Sequence, residues 1–174
     1  MLGLIKRIQL IDRLGFEALA DRRRPYADRL MRMLTHLGGG PASILLVAFM
    51  MSRQAPQWAA AGRQAAFALV VSHVFAQLLK RGIARRRPSL PVGLAPLIKV
   101  PDQFSFPSGH AAAALSVGLP LAATLPGVFG PAVLALAAIV GLSRCYLGVH
   151  YPCDVIAGWG LACAAHVFDV AGPL

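Results

Sequence analysis

The amino-acid sequence predicts an all-α protein that is embedded in a membrane as a helical bundle. Apolar residues make up 57% of the chain, charged residues 14%, and the mean hydropathy is +0.63. Soluble domains contain about 45–50% apolar residues. The length, 174 residues, suffices for one compact domain. Together these values indicate that lipid, more than water, surrounds the folded chain.

Apolar stretches after residue 40 predict about five transmembrane helices. The stretches lie near 41–52, 64–79, 111–128, 131–143 and 155–171. Several are shorter than the roughly 20 residues that a perpendicular span needs, so mildly polar flanks must extend them. Buried core helices are the alternative, but five such segments in one short basic chain favour membrane spans.

The N-terminal residues predict a helix of another kind. Apolar and charged residues alternate at helical spacing up to Arg24, and Pro25 separates a second basic segment. A basic amphipathic helix suits the plane of the membrane interface. A helix packed on the domain is the alternative. We therefore divide the chain into an amphipathic basic segment, 1–36, and a transmembrane domain, 37–174.

The charge and the cysteines restrict the classes of partner and site. A net charge of +10 fits an anionic membrane surface, an anionic substrate or nucleic acid. The apolar composition disfavours nucleic acid. The cysteines, Cys145, Cys153 and Cys163, form no C-x-x-C pair and are typical of small buried hydrophobes. A disulfide between Cys145 and Cys153 would require an oxidising compartment.

Two polar loops carry the residues that could bind a phosphate. If every apolar stretch spans once, residues 80–110 and 143–154 lie on the same side of the membrane. Lys80, Arg87 and Arg144 then supply cations for phosphate oxygens. Ser108 and the Gly109 amide stand where a helix begins, a position that favours anions.

The same loops hold residues suited to nucleophilic and acid–base chemistry. His110 and His150 can act as nucleophile or general acid near neutral pH. Asp154 follows His150 by four residues, a spacing that brings the carboxylate beside the imidazole. A carboxylate in this place fixes the imidazole tautomer and stabilises its cation.

Other polar residues near these loops receive structural interpretations. We expect His73, inside the second apolar stretch, to be an interhelical hydrogen-bond partner. We expect Arg81, Arg85 and Arg86 to contact lipid headgroups or the substrate phosphate.

Three motifs occur here in a fixed order. K-x6-R-P is matched by residues 80–88, P-S-G-H by 107–110, and S-R-x5-H-x3-D by 143–154, without a substitution. In these motifs the chain resembles the type 2 phosphatidic acid phosphatase superfamily, which also includes vanadium haloperoxidases and glucose-6-phosphatase. The resemblance covers about residues 35–171.

This resemblance implies a role for each matching residue. His150 would attack phosphorus and become phosphohistidine, with Asp154 orienting it. His110 would protonate the leaving alkoxide and later activate water. The residues that would hold the phosphoryl oxygens are Lys80, Arg87, Ser108, Gly109 and Arg144. The resemblance implies no metal and no other cofactor.

The function expected from the resemblance is a membrane-embedded lipid phosphate phosphatase. Its substrate would be a phosphomonoester or diphosphate, such as phosphatidic acid, phosphatidylglycerophosphate or a polyprenyl phosphate or diphosphate. Alternatives are a lipid phosphotransferase, a membrane scaffold with a relic site, and a vanadium haloperoxidase, although those are larger and soluble. The expected partners are the lipid substrate and the bilayer, and the sequence is also compatible with a homo-oligomer.

The basic residues also predict an orientation for a multi-pass protein of a bacterial inner membrane. Of the 17 Lys and Arg residues, 15 lie on the side of the two polar loops and only Arg53 and Arg63 on the other. The positive-inside rule then places the loops on the cytoplasmic face. Many members of the family with six spans work on the outer face instead.

Overall fold

The chain forms a helical bundle in a computed structural model that describes residues 2–90, 94–100 and 102–171. In these ranges there is no β-strand, only an isolated bridge between Arg86 and Phe104. The α-helices are α1 (Leu2–Ala20), α2 (Pro25–Thr35), α3 (Gly40–Ser52), α4 (Pro56–Ile83), α5 (Gly109–Thr124), α6 (Phe129–Tyr146) and α7 (Pro152–Ala171), with a 3-10 turn at His36–Gly38. The all-α prediction is confirmed.

Helix α5 lies at the centre of the bundle and packs against α4, α6 and α7, while α3 packs mainly on α4. Small buried residues let these helices approach closely, as is usual between membrane helices. They are Ala65, Ala68, Ala111, Ala112, Ala137 and Ala162. Between α4 and α5 the hydroxyl groups of Ser72 and Ser116 lie 3.0 Å apart and hydrogen-bond inside the core.

All five apolar stretches form helices, α3 to α7, but they differ in their capacity to span a membrane. Helices α4, α6 and α7 are each long and apolar enough to cross it. Residues Pro25–Gly38 and Gly40–Ser52 qualify only as a pair bent by 54°, and α5 has 16 residues. The helical membrane bundle is therefore confirmed. The described part of the chain contains three candidate spans, or four if the bent pair is one span.

Helix α1 has two different faces. Asp12 and Phe16 are buried, each 1% exposed, and Phe16 packs edge-on against Tyr151 with 5.6 Å between ring centroids. Ile11 and Leu14 on another face are exposed. The first face packs on the bundle, as in the alternative interpretation, while the second leaves apolar surface for a membrane interface. The interfacial location stays a prediction.

The two polar loops meet at one end of the bundle. Helix α4 ends at Ile83, and the next residue, Ala84, has a left-handed backbone (φ 47°) and donates its N–H to the Lys80 carbonyl oxygen. Helix α5 begins after Ser108, whose N–H donates to the Asp154 carbonyl oxygen over 2.9 Å. The chain segments around the two loops are therefore hydrogen-bonded to each other.

The cysteines are free, and their burial differs from our expectation. Cys145 is buried, Cys153 is partly buried, and Cys163 is exposed. The interpretation as small buried hydrophobes holds fully only for Cys145, because Cys163 lies on an outward face of α7.

Candidate active site

A cavity of about 510 Å³ opens between α3, α4 and α5 at the end where the polar loops meet. Six of the eight residues expected at the site line it: Lys80, Arg87, Gly109, His110, Arg144 and His150. The other two, Ser108 and Asp154, are fully buried. Each forms a hydrogen bond with a residue that directly follows a lining histidine in the chain. The structure thus brings together all eight residues that the sequence singled out.

His150 lies in the short loop between α6 and α7 and is 2% exposed. Its Nε2 is 3.4 Å from Nη1 of Arg87, and its Nδ1 is 3.6 Å from Oδ2 of Asp154. The carboxylate favours a proton on Nδ1, which leaves the Nε2 lone pair for the cavity. Burial lowers the pKa of His150 to about 4, although the nearby Asp154 carboxylate opposes this shift. The imidazole is therefore neutral at pH 7, as a nucleophile must be.

Two hydrogen-bond donors hold the Asp154 carboxylate in place. Its Oδ2 accepts from the Tyr151 N–H over 2.8 Å, and its Oδ1 accepts from Nη1 of Arg85 over 2.7 Å. Helix α7 begins only at Pro152, so His150 precedes the helix. The four-residue spacing nevertheless brings the His150 and Asp154 side chains together, because the hydrogen bond from the Tyr151 N–H to the Asp154 carboxylate closes a turn between them.

Arg85 connects Asp154 to the N-terminal helix. Its Nη2 donates to Oδ2 of Asp12, and its guanidinium stacks over the Tyr151 ring at 4.2 Å. Asp12 also accepts from the Cys153 N–H over 2.7 Å. Although burial opposes it, these carboxylates raise the pKa of Arg85. We expected Arg85 to contact headgroups or phosphate, but it forms ion pairs with two buried carboxylates instead. Sequence reasoning did not identify Asp12 as one of these partners.

Lys80 and Arg87 converge on one acidic residue that sequence reasoning also missed. Lys80 Nζ and Arg87 Nη2 each donate to the Asp102 carboxylate over 2.7 Å. Burial alone would raise the pKa of Asp102, but the hydrogen bonds from both cations lower it. Asp102 lines the cavity, so its carboxylate occupies the space between two cations where phosphate oxygens would also bind. Its position in a polar loop was the only signal in the sequence.

Arg144 has no such partner. It is 2% exposed and donates through Nη1 to Oγ1 of Thr35, on α2, over 2.7 Å. Its Nε is buried without a hydrogen-bond partner. In the part of the chain that the structure describes, no carboxylate lies within ion-pair distance of it. A buried, uncompensated cation is costly, and this one faces a cavity that an anion could fill.

The start of α5 completes the site with neutral donors. Ser108 caps the helix by accepting from the Ala111 N–H, and His110 follows on the first turn. The close approach of neighbouring elements requires glycine: a Cβ on Gly158 would lie 2.5 Å from the Ser108 carbonyl oxygen, and one on Gly38 would lie 2.7 Å from that of His110. Across the described ranges, no three His, Cys, Asp or Glu side chains are grouped so as to hold a metal ion.

Comparison with known proteins gives similar sequences and similar folds. The chain is 38% identical over 164 residues to decaprenylphosphoryl-5-phosphoribose phosphatase of Mycobacterium tuberculosis, covering 89% of this chain and 85% of that one. It is also similar to a solved PAP2-type phosphatidylglycerolphosphate phosphatase from Bacillus subtilis, with a TM-score of 0.71, 28% identity, and coverage of 95% and 87%. The fold of Aquifex aeolicus LpxE matches with a TM-score of 0.80 at 23% identity, over 90% and 93% of the chains.

The family comparison agrees with the motifs and with the site. The model of the PAP2 superfamily matches residues 61–171, which include all three motifs, most of α4, and the helices α5 to α7. The matched residues make up more than half of the chain. The chain therefore belongs to the PAP2 superfamily.

Proposed function

We propose that this protein is a membrane-embedded lipid phosphate phosphatase that works through a phosphohistidine at His150, without a metal. The observation that carries the proposal is the buried Arg144, which has no carboxylate partner among the residues that the structure describes and faces the cavity beside a neutral His150. An anion is the missing partner of such a cation, and a neutral imidazole is the nucleophile that can attack it.

In the first step, Nε2 of His150 attacks phosphorus. The N–P bond forms as the bond from phosphorus to the lipid oxygen breaks, and His110, which takes up a proton when the phosphate anion binds beside it, gives that oxygen the proton. Asp154 stabilises the charge that develops on the imidazole, since it faces Nδ1 at 3.6 Å. We expect this distance to shorten in the substrate complex, because catalytic hydrogen bonds are commonly long in the free enzyme.

The cations stabilise the charge on the transferring phosphoryl group. Lys80, Arg87 and Arg144 face the cavity, and the Ser108 hydroxyl and the Gly109 amide add donors where α5 begins. The phosphate displaces the Asp102 carboxylate from Lys80 and Arg87. Preorganised charges of this kind are the usual main source of catalysis in phosphoryl transfer.

In the second step, water releases the phosphate. His110, now neutral, takes a proton from water as the water oxygen bonds to phosphorus and the N–P bond breaks. Inorganic phosphate leaves, and both histidines return to their starting protonation states.

The substrate we propose is a phosphomonoester attached to a polyprenyl lipid. Support comes from the Mycobacterium tuberculosis relative, whose name gives decaprenylphosphoryl-5-phosphoribose as its substrate. The cavity supports a lipid as well, because Ile44, Leu69, Val70 and Val74 give it an apolar wall next to the cations. Phosphatidic acid and phosphatidylglycerophosphate are the other substrates to compare.

Phosphate release by purified protein in detergent with EDTA tests this function. We expect wild type to release phosphate, His150→Ala to release none, and His166→Ala, toward the far end of α7, to behave as wild type. Rapid quenching with radiolabelled substrate should trap an acid-labile phosphoprotein in wild type only. Substantial turnover by His150→Ala would exclude the phosphohistidine, and loss of turnover with EDTA would exclude a metal-free reaction.

We also propose that the site opens to the cytoplasm of a bacterial cell, on the basis of the basic residues around it. In a background without the native cysteines, Val128→Cys should react with an impermeant maleimide in intact cells, and Pro96→Cys should be protected. These residues lie at opposite ends of the bundle: Pro96 is in the α4–α5 loop beside the site, and Val128 precedes α6. Labelling of Pro96→Cys alone would place the site on the outer face.

A further inference from the structure

We propose that His73 and Gln77 bind the leaving group, and that they select lipid phosphates with a hydroxylated unit, such as a sugar or polyol, between the reacting phosphate and the tail. This inference rests on the proposed function and assigns a specificity role to two residues of the same cavity. It was not expected from the sequence, where His73 was interpreted as an interhelical hydrogen-bond partner.

The first observation is where these two side chains lie. Both line the cavity that holds Lys80, Arg144 and His150. Both are on α4, which is long and apolar enough to span a membrane, and both are exposed. Polar side chains on membrane helices are costly where they face lipid, and they commonly mark the path of a substrate.

The second observation is that their polar atoms have little to bind in the protein. The only side-chain hydrogen bond found for either residue, within the described ranges, is the one between them, with 3.5 Å between Nε2 of Gln77 and Nε2 of His73. That distance is at the limit for a hydrogen bond. The pair therefore retains unused donors and acceptors that face the cavity.

The spacing along α4 places the pair next to the phosphate site and deeper in the membrane. Residues 73, 77 and 80 share one helix face because they are four and three positions apart. At 1.5 Å per residue, Gln77 lies about 4.5 Å and His73 about 10.5 Å from Lys80 along the helix axis. The unit attached to the reacting phosphate lies at this depth, and the tail lies beyond it.

The chemistry of the pair fits hydroxyl groups better than an alkyl chain. A carboxamide offers donors and an acceptor, and an imidazole offers two ring nitrogens for hydrogen bonds. A sugar or polyol satisfies both, whereas a prenyl chain joined directly to the phosphate would leave them buried and unpaired. Sites built to bind a hydroxyl discriminate strongly against analogues that lack it. Ile44 on α3 and Ala113 on α5, which also line the cavity, are apolar, so neither side chain competes with the pair for a substrate hydroxyl.

The test compares two substrates with the same tail and the same reacting group, a phosphomonoester. One is farnesylphosphoryl-5-phosphoribose and the other is farnesyl phosphate. We would measure kcat/KM in detergent for wild type, His73→Leu and Gln77→Leu. Phe75→Leu is the matched control, because Phe75 is an exposed residue of α4 that does not line the cavity. Each polar-to-Leu variant should lose about tenfold in kcat/KM for the ribose substrate, as expected for one hydrogen bond to a substrate. Its kcat/KM for farnesyl phosphate should change less than about twofold, and Phe75→Leu should alter kcat/KM for neither substrate.

Several results would overturn the proposal. Equal losses on both substrates would assign the pair a structural role, and unchanged preference would mean that it does not contact the leaving group. An altered oligomeric state of His73→Leu, with unchanged preference, would make His73 a contact between copies of the chain. If wild type hydrolyses both substrates but the His73 and Gln77 substitutions leave the preference between them unchanged, the proposed function stands and this inference is wrong. If wild type hydrolyses neither, both fall.

Discussion

Arg85 should be the residue whose loss most destabilises the bundle outside the helix core. Its guanidinium, with the side chain 26% exposed, is the only cation that forms ion pairs with the buried carboxylates of Asp12 and Asp154 in the described part of the chain. Arg85→Ala leaves these two buried carboxylates without the cation that pairs with both. Each carboxylate keeps one backbone N–H donor, so the loss is of charge compensation rather than of all hydrogen bonding.

The magnitude follows from the number of charge-assisted hydrogen bonds that are lost. Each is worth about 2 kcal/mol, so Arg85→Ala should lower the free energy of unfolding by about 4 kcal/mol, in the range for breaking a buried ion pair. Asp12→Asn removes only one of them and should cost about 2 kcal/mol. The double variant should cost about 4 kcal/mol, not the roughly 6 kcal/mol of independent effects, because the Arg85–Asp12 bond can be lost only once.

Thermal unfolding in detergent, followed by tryptophan fluorescence, would measure these differences. About 4 kcal/mol corresponds to a fall in Tm of about 10 °C for a chain of this size. Arg81→Ala is the matched control, since Arg81 is exposed and has no side-chain hydrogen bond among the described contacts; its Tm should stay within about 2 °C. Additive effects of Arg85→Ala and Asp12→Asn, or a small effect of Arg85→Ala alone, would refute the network.

Three further predictions concern pH and packing. Because burial lowers the pKa of His150 from 6.5 to about 4, the unfolded chain binds the proton more readily; stability should therefore fall by about 3 kcal/mol as the pH drops from 6.5 to 4. His150→Asn should be less sensitive over this interval, and an equal pH dependence of Tm in both proteins would contradict the assignment. Gly158→Ala should lower the free energy of unfolding by about 1–3 kcal/mol and remove much of the turnover, since its Cβ would lie 2.5 Å from the Ser108 carbonyl oxygen. Gly160→Ala, with no atom within 4 Å of the added carbon, should be neutral or stabilising. Equal effects of the two substitutions would show that the structure accommodates the contact at Gly158 without cost. Ala84→Gly should raise stability by about 1 kcal/mol, because φ is 47° at this helix end, and an unchanged or lower denaturation midpoint would argue against that strain.

The sequence alone determined the class of solvent, the helical architecture and eight of the residues at the candidate site. Composition reports the solvent directly, because apolar surface of this extent requires lipid. The motif residues are also close together in the chain: Ser108, Gly109 and His110 adjoin, and His150 and Asp154 are four apart. Such local spacing constrains geometry before any tertiary contact is known. The number of spans was less certain, since several stretches are shorter than a membrane crossing.

The partners of these residues were decided only by the tertiary structure. Asp12 reaches Arg85 and Thr35 reaches Arg144 because α1 and α2 pack on the end of the bundle where the loops meet. No periodicity or motif encodes such contacts, which depend on how closely helices distant in sequence approach one another. Asp102 likewise needed the fold to show that it lies between two cations. Hydrophobic spacing specifies which face of a helix is buried, but the packing of whole helices determines which polar groups meet there.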